Sequence, residues 1–279
     1  MGRLAKKKKA PHRDGAATGV TVAPRPTLAA VIIAWSVHLF TGMGLVVAAA
    51  MAVLLVRGGA PAFRGVFFLM VVGTLIDAID GTFARRAHVK TVLPNFDGRK
   101  LDDITDFLTY TFLPLLLIWR AQLLPPGTEG WLLLPLLASA YGFCQVEAKT
   151  DDGYFLGFPS LWNVVALYLY YLDLPASAAL AIVIVLALMT FIPSRYLYPT
   201  QPGRFNAFSN VIGAVWTVMV AYVIWRDPAS PEGLDSDTRQ LATISLFHPA
   251  FYMISSWIIT LWHWFGRGPA RPVERPSHV

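Results

Sequence analysis

Charged residues are scarce in this 279-residue sequence, where they make up 14% of the chain against about 25% in an ordinary soluble domain. Hydrophobic residues make up 55%, and a soluble globule of this size would leave much of that apolar surface facing water. The same apolar excess excludes an intrinsically disordered chain. Cysteine is nearly absent: Cys144 stands alone, so no intrachain disulfide can hold the fold. The composition therefore favours a membrane protein without covalent cross-links.

Common catalytic and binding motifs are missing as well. The sequence has no Cys/His metal-binding pattern, no P-loop, no GxSxG element, no heptad repeat and no internal repeat. His248 and His263, near the last apolar stretch, are interpreted as packing or interfacial residues. We recognise no signal peptide at the N-terminus. These absences give no reason to expect a nucleic-acid partner, and they leave the apolar stretches and the carboxylates as the informative features.

Apolar stretches of about 20 residues are typical of helices that cross the hydrocarbon core of a bilayer. Eight stretches fit this description, of which the fifth is short. We therefore predict an all-α integral membrane protein with about eight transmembrane helices. The predicted spans are Leu39–Val56, Val66–Ala84, Leu101–Trp119, Trp131–Val146, Leu161–Leu172, Ser177–Ile192, Phe208–Trp225 and Leu246–Phe265.

The distribution of basic residues predicts the orientation. An even number of spans places both termini on one side, and placing them in the cytoplasm puts most of the 23 Lys and Arg residues there too. The predicted organisation is a disordered basic tail over 1–26, a transmembrane domain over 27–267 and a second cytoplasmic tail over 268–279. The run Lys6–Lys9 is either a topology determinant or a site of attraction to anionic membrane lipid. The segment 27–38 either lies along the interface or extends the first span.

Four carboxylates stand at the ends of the second and third predicted spans, where acidic residues are costly and indicate function. Asp77 and Asp80 are three positions apart, and Asp102 and Asp106 are four apart, so each pair shares one helix face. Consecutive spans are antiparallel, so both pairs lie at the cytoplasmic end, where hard divalent cations would offset their repulsion. Two nearby acidic residues are placed outside this set, one off the shared face and one in a turn with Gly98: Asp103 and Asp97.

Small and basic residues follow the first pair of carboxylates. Gly81 and Ala84 are small enough to let a ligand approach the helix backbone, and Arg85 carries a guanidinium suited to phosphate. Together with metals, these residues describe a pyrophosphate site. The whole pattern resembles the signature of the CDP-alcohol phosphatidyltransferases at all eight positions: Asp77-x2-Asp80-Gly81-x2-Ala84-Arg85, then Gly98-x3-Asp102-x3-Asp106.

The spacing inside this signature is similar to that of one branch of the family. Twelve residues, 86–97, separate Arg85 from Gly98, where the family usually has eight. This longer gap resembles the bacterial phosphatidylcholine synthases, as do the stretch Ala148–Asn163 and the eight predicted spans.

The resemblance implies transfer of a phosphatidyl group from CDP-diacylglycerol to choline, with release of CMP, at the cytoplasmic face of a bacterial inner membrane. It implies that Asp77, Asp80 and Asp102 hold two divalent cations, Mn²⁺ or Mg²⁺. Asp106 would be the general base and a further metal ligand. It also implies a homodimer, and a CDP-binding set made of Gly81, Ala84, Arg85 and Gly98.

Choline carries a trimethylammonium group, which proteins bind with aromatic faces and carboxylates. Such residues cluster near the cytoplasmic ends of the fourth and fifth spans: Tyr141, Phe143, Glu147, Tyr154, Phe155, Phe158 and Trp162. Aromatic residues are also enriched at any membrane interface, and Lys149 could pair with Glu147 instead. Arg195 and Arg204 either hold a lipid phosphate or serve only as cytoplasmic charges.

Two other functions fit parts of the pattern. A sister enzyme of the same family would use serine, inositol or glycerol phosphate as the acceptor. A divalent-cation transporter would use the carboxylates as an ion path, but it should also place charges in the middle of several spans, and the other predicted spans lack them.

Overall fold

The computed structural model describes residues 26–145, 150, 153–197, 204–229 and 234–266, with the side chains of 204 and 205 left out. Each of the eight apolar stretches is helical in it. The long helices are α1 (Leu28–Arg57), α2 (Ala60–Arg86), α9 (Arg204–Arg226) and α11 (Phe247–Phe265). The shorter ones are α3 (Val89–Val92), α4 (Gly98–Asp106), α5 (Leu113–Arg120), α6 (Leu133–Cys144), α7 (Trp162–Tyr171), α8 (Ala176–Met189) and α10 (Ser236–Ser245).

Among the described residues, four helical segments are long and apolar enough to cross a bilayer. They are Leu28–Arg57, Ala60–Arg86, Asn206–Arg226 and Ser236–Phe265, the last of which joins α10 to α11. These helices make the chain an all-helical membrane protein in its main architecture. The other predicted spans correspond to shorter helices, and the predicted tails over 1–26 and 268–279 lie outside the described residues except for position 26.

Helix α1 decides between the two interpretations of the segment 27–38. The Thr27 side chain caps the helix by accepting a hydrogen bond from the Ala30 backbone N–H at 3.2 Å. The helix then runs without interruption to Arg57, so this segment extends the first span.

The third predicted span begins earlier than expected and is not a uniform α-helix. The Asp97 carboxylate accepts a hydrogen bond from the Lys100 backbone N–H at 3.3 Å, so Asp97 caps α4 and Gly98 is its first residue, where we predicted a turn. Between α4 and α5, Phe107–Phe112 forms a π-helix. Such wide turns change the angular position of the residues that follow and occur often at functional sites.

A small antiparallel sheet was missed by the sequence analysis. Strand β1 (Tyr154–Leu156) pairs with β2 (Arg195–Leu197), with Phe155 opposite Tyr196. The strand β1 therefore precedes the fifth predicted span, whose helix α7 begins at Trp162. The chain leaves the sheet through α7 and α8 and returns to it, so the sheet joins the two ends of this helical pair.

Small residues let the helices that carry the carboxylates approach one another. Helix α1 packs against both α2 and α4. A methyl group on Gly44 of α1 would overlap the side chain of Thr105 in α4, and one on Gly73 of α2 would touch Thr109 at 3.8 Å. Close contacts of this kind are a common basis of helix association in membranes. The arrangement brings the ends of α2 and α4 together.

Candidate metal centre

Three carboxylates from two helices converge on one point. Asp77 of α2 and Asp102 and Asp106 of α4 each offer an oxygen atom, and these three atoms lie within 4.8 Å of one another. All three residues are half-buried. An all-oxygen set of this kind suits hard cations such as Mg²⁺, Mn²⁺ and Ca²⁺. A divalent cation among the three would also offset their mutual repulsion, so the residues present fit such an ion.

Asp80 lies outside this group of three, although it belongs to the same predicted set. Its carboxylate is buried, with the Thr41 hydroxyl of α1 and the Gly81 backbone N–H close to it, and its charge repels that of Asp106. The structure therefore brings three of the four predicted ligands within reach of one ion and places the fourth beside them.

The side chain of Arg85 runs back along α2 toward Gly81 and Thr82. Its Nη2 atom donates a hydrogen bond to the Thr82 hydroxyl at 3.1 Å, and its guanidinium attracts the Asp80 carboxylate. A methyl group on Gly81 would come to 3.4 Å from Nη1 of Arg85, so the glycine leaves room for the guanidinium. Ala84 packs against a small apolar cluster around α1 and α3, so its small side chain serves helix packing.

Gly98 meets a residue of the first helix. A methyl group on Gly98 would lie 2.5 Å from Cε1 of His38, whose ring also packs 4.5 Å from that of Phe96. His38 is buried, and its Nε2 atom has no hydrogen-bond partner among the described residues. The sequence analysis did not assign His38 or Thr41 to the site. The available signal was their spacing, because His38 and Thr41 are polar residues three positions apart in a mostly apolar helix.

Tyr110 is a further residue at this centre that the sequence analysis missed. Its hydroxyl donates a hydrogen bond to Oδ2 of Asp77 at 2.8 Å. The available signal was spacing, because Tyr110 follows Asp102 and Asp106 at intervals of four residues.

The aromatic residues proposed for choline lie in several environments. Phe158 and Trp162 are buried in the core, where the indole N–H of Trp162 donates to the Ser139 hydroxyl at 2.8 Å. Phe155 is half-buried and packs against the same core. Tyr141 is exposed, with its ring 5.2 Å from that of Phe191.

One further member of that set lies beside the candidate metal centre and another lies in the sheet. Phe143 packs edge-on against Phe107, the residue after Asp106, with ring centroids 5.7 Å apart. The ring of Tyr154 in β1 lies 5.6 Å from the guanidinium carbon of Arg195 in β2. Arg204 is the first residue of α9, but its side chain lies outside the described part of the chain, as does Glu147.

Comparison with known proteins identifies relatives that cover most of this chain. It is 38% identical over 197 residues to a phosphatidylcholine synthase of Pseudomonas aeruginosa, which covers 70% of this chain and 82% of the relative. It is 36% identical over 230 residues to one of Borreliella burgdorferi, and this alignment covers 82% of this chain and 95% of the relative. It is also 36% identical over 205 residues to one of Bradyrhizobium diazoefficiens, and this alignment covers 73% of this chain and 75% of the relative.

The chain belongs to the phosphatidylcholine synthase family. This confirms the resemblance drawn from the Asp, Gly and Arg signature. No protein-family model matches the chain. Membership of this family and the apolar helices together make the chain an integral membrane enzyme.

Proposed function

We propose that this enzyme transfers the phosphatidyl group of CDP-diacylglycerol to choline and releases CMP. The observation that carries the proposal is the convergence of Asp77, Asp102 and Asp106 within 4.8 Å in a member of the phosphatidylcholine synthase family. The relatives named phosphatidylcholine synthase support choline as the acceptor over serine, inositol or glycerol phosphate. They equally disfavour a cation transporter.

The metal part of the proposal rests on the chemistry of the ligands. Asp77, Asp80, Asp102 and Asp106 would hold two divalent cations, Mn²⁺ or Mg²⁺. Asp80 would be the fourth ligand, beside the three carboxylates that lie together. Bound cations would neutralise the pyrophosphate and the charge that develops on the leaving CMP.

Asp106 is the proposed general base. The choline hydroxyl oxygen forms a new bond to the phosphorus of the phosphatidyl group, the bond from that phosphorus to the CMP oxygen breaks, and Asp106 accepts the hydroxyl proton. General-base assistance of this kind contributes about 10²–10⁴-fold in rate. Support comes from the position of Asp106, whose carboxylate lies with those of Asp77 and Asp102.

Arg85 is the proposed anchor for the cytidine diphosphate group. Its exposed, always-charged guanidinium can bind two phosphate oxygens at once. Gly81 leaves space beside it, and we assign the remaining signature residues, Ala84 and Gly98, to the packing that holds this surface in place.

Choline is proposed to bind against aromatic faces near the metal centre. Phe143 has the closest link to that centre, through its contact with Phe107. Tyr141 offers an exposed ring and Tyr154 a half-buried one, and Glu147 would add a negative charge. We assign Phe155, Phe158 and Trp162 to supporting the pocket from the core, and Arg195 and Arg204 to lipid phosphate.

The proposed setting is the cytoplasmic face of a bacterial inner membrane, crossed eight times by each subunit of a homodimer with both termini in the cytoplasm. Residues 27–267 form the membrane domain in this proposal, and the basic tails flank it.

The decisive experiment is an assay of the purified protein in detergent with CDP-diacylglycerol, Mn²⁺ and radiolabelled choline, with serine, inositol and glycerol phosphate in parallel. We expect a lipid product with choline alone. Asp106→Asn should lower the rate by about 10²-fold or more because the base is lost. The matched control is Asp173→Asn, which changes an exposed aspartate paired with Arg239 at 3.6 Å and should leave the rate unchanged.

Two results would contradict the proposal in different ways. A product formed with another alcohol would retain the metal chemistry and exclude choline as the acceptor. Folded protein that yields no product with any of the four alcohols would exclude the reaction itself.

A further inference from the structure

Tyr110 connects the two helices of the metal centre. It lies in the π-helix that follows α4, and its hydroxyl donates a hydrogen bond to Oδ2 of Asp77 on α2 at 2.8 Å. Both Tyr110 and Asp77 are half-buried, so this bond is partly shielded from water. Asp77 is thus held from the same chain segment that supplies Asp102 and Asp106.

The hydrogen bond limits how the Asp77 carboxylate can turn. A carboxylate oxygen that accepts a hydrogen bond can still face a cation, and the bond fixes the plane of the group. Metal ligands are usually oriented by such outer partners, whose loss commonly weakens metal binding by about 10–100-fold. A neutral hydroxyl donor also leaves the charge of the ligand set unchanged.

We propose that Tyr110 is a positioning residue that orients Asp77 toward a divalent cation shared with Asp102 and Asp106. This inference rests on the proposed function, because it concerns the same metal centre. The π-helix contributes to this arrangement, because its wider turn sets the direction in which the Tyr110 side chain points relative to Asp106. The competing interpretation is that the bond only fastens α2 to the next helix and has no effect on metal binding.

The test is the affinity of purified protein for Mn²⁺ alone, measured from the electron paramagnetic resonance signal of free Mn²⁺ without substrates. Tyr110→Phe keeps the ring and removes the hydroxyl. We expect Mn²⁺ affinity to fall by about 10–100-fold. In the transfer assay, the Mn²⁺ concentration for half-maximal rate should rise by a similar factor, while the rate at saturating Mn²⁺ stays close to that of the unchanged enzyme.

A matched control exists elsewhere in the molecule. Tyr171 donates to the buried carboxylate of Asp227 at 3.0 Å, so Tyr171→Phe removes the same kind of bond away from the metal centre. This variant should unfold at a lower temperature and bind Mn²⁺ as tightly as the unchanged protein. We expect Tyr110→Phe to bind Mn²⁺ more weakly than Tyr171→Phe does. A hydrogen bond with only a structural role would not change the affinity for Mn²⁺.

The outcomes separate this inference from the proposed function. Equal Mn²⁺ affinity in Tyr110→Phe and the unchanged protein would overturn the inference, even if Tyr110→Phe unfolds more easily. Failure of the unchanged protein to bind Mn²⁺ would overturn both the inference and the metal part of the proposed function. Loss of affinity in Tyr110→Phe, in a protein that uses another alcohol, would support the inference and remove only the choline assignment.

Discussion

At Gly98 the backbone of α4 lies against the imidazole of His38, and no side chain fits between them. A methyl group would come to 2.5 Å from Cε1 and 2.9 Å from Nδ1 of that ring. The ring cannot move freely because His38 is buried and packs against Phe96. The start of α4 is therefore fixed by α1, and Asp102 lies about one turn further along the same helix.

We expect Gly98→Ala to lower the free energy of unfolding by about 1–3 kcal/mol, because the added methyl group overpacks this contact. It should also weaken Mn²⁺ binding, since any shift of α4 moves Asp102. Thermal unfolding in detergent and Mn²⁺ titration measure the two effects.

Gly42 provides the control for this substitution. A methyl group there meets no atom within 4 Å, and alanine in the middle of α1 is favoured over glycine by about 1 kcal/mol. Gly42→Ala should thus be neutral or stabilising and should leave Mn²⁺ binding unchanged. Equal stability and metal affinity in the two variants would show that the His38 contact does not position α4.

The residues of the metal centre differ in how far the sequence could predict them. Spacing along a helix predicted that Asp77 would lie near Asp102 and Asp106, because consecutive spans must run antiparallel. It could not predict that Tyr110 would reach Asp77, since that contact depends on the π-helix and on the angle between two helices. His38 was missed for a similar reason, because its role depends on which face of α1 meets α4.

At the scale of whole elements, the sheet is held in place by a row of hydroxyl groups on α11. Thr260 accepts from the backbone N–H of Arg195 at 2.7 Å, and Ser256 accepts from that of Leu197 at 3.3 Å. The hydroxyl of Tyr252 donates to the Leu197 carbonyl at 3.1 Å. Residues spaced by four lie on one helix face, so α11 takes the place of a third strand beside β2. Backbone groups that meet no water need such partners.

We expect Thr260→Val to lower the free energy of unfolding by about 1–3 kcal/mol, because the backbone N–H of Arg195 loses its hydrogen-bond acceptor. The shape of the side chain is nearly retained, so packing should change little. Hydrogen exchange followed by mass spectrometry should show faster exchange in the segment that contains β2.

The control is Thr243→Val on α10, where an exposed hydroxyl donates to the Arg239 carbonyl at 2.9 Å within the same helix. Its effect on stability should be small, because water can replace that bond. Unchanged exchange in Thr260→Val would show that α11 does not hold the sheet.

Hydropathy predicted the helices well and the strands not at all. The four long helical segments follow from their apolar stretches, because about 20 apolar residues leave a chain in lipid few alternatives, whereas the other stretches form shorter helices. The strands are three residues long, and the outer hydrogen bonds of β2 come from a helix more than 50 positions away. Local sequence contains neither the partner nor the periodicity needed to predict them.

At the scale of the whole molecule, the position of the metal centre depends on the topology. The candidate centre lies in the last third of α2 and in α4, so the predicted arrangement places its carboxylates toward the side of the membrane that the loop 87–97 faces. Most Lys and Arg residues fall on that side in the predicted arrangement, which places the loop in the cytoplasm. In the same predicted arrangement, the continuous helical segment from Gly98 to Arg120 would carry the chain to the opposite face.

This arrangement predicts which introduced cysteines a membrane-impermeant maleimide can reach. In a Cys144→Ser background, Glu129→Cys should be labelled in intact cells, whereas Thr91→Cys should be labelled only after the membrane is permeabilised; both positions are exposed. The reverse pattern would place the metal centre outside the cytoplasm and exclude a cytoplasmic supply of CDP-diacylglycerol and choline. Labelling of both in intact cells would show that the segment from α4 to α5 does not cross the bilayer, which would contradict the eight-span arrangement directly.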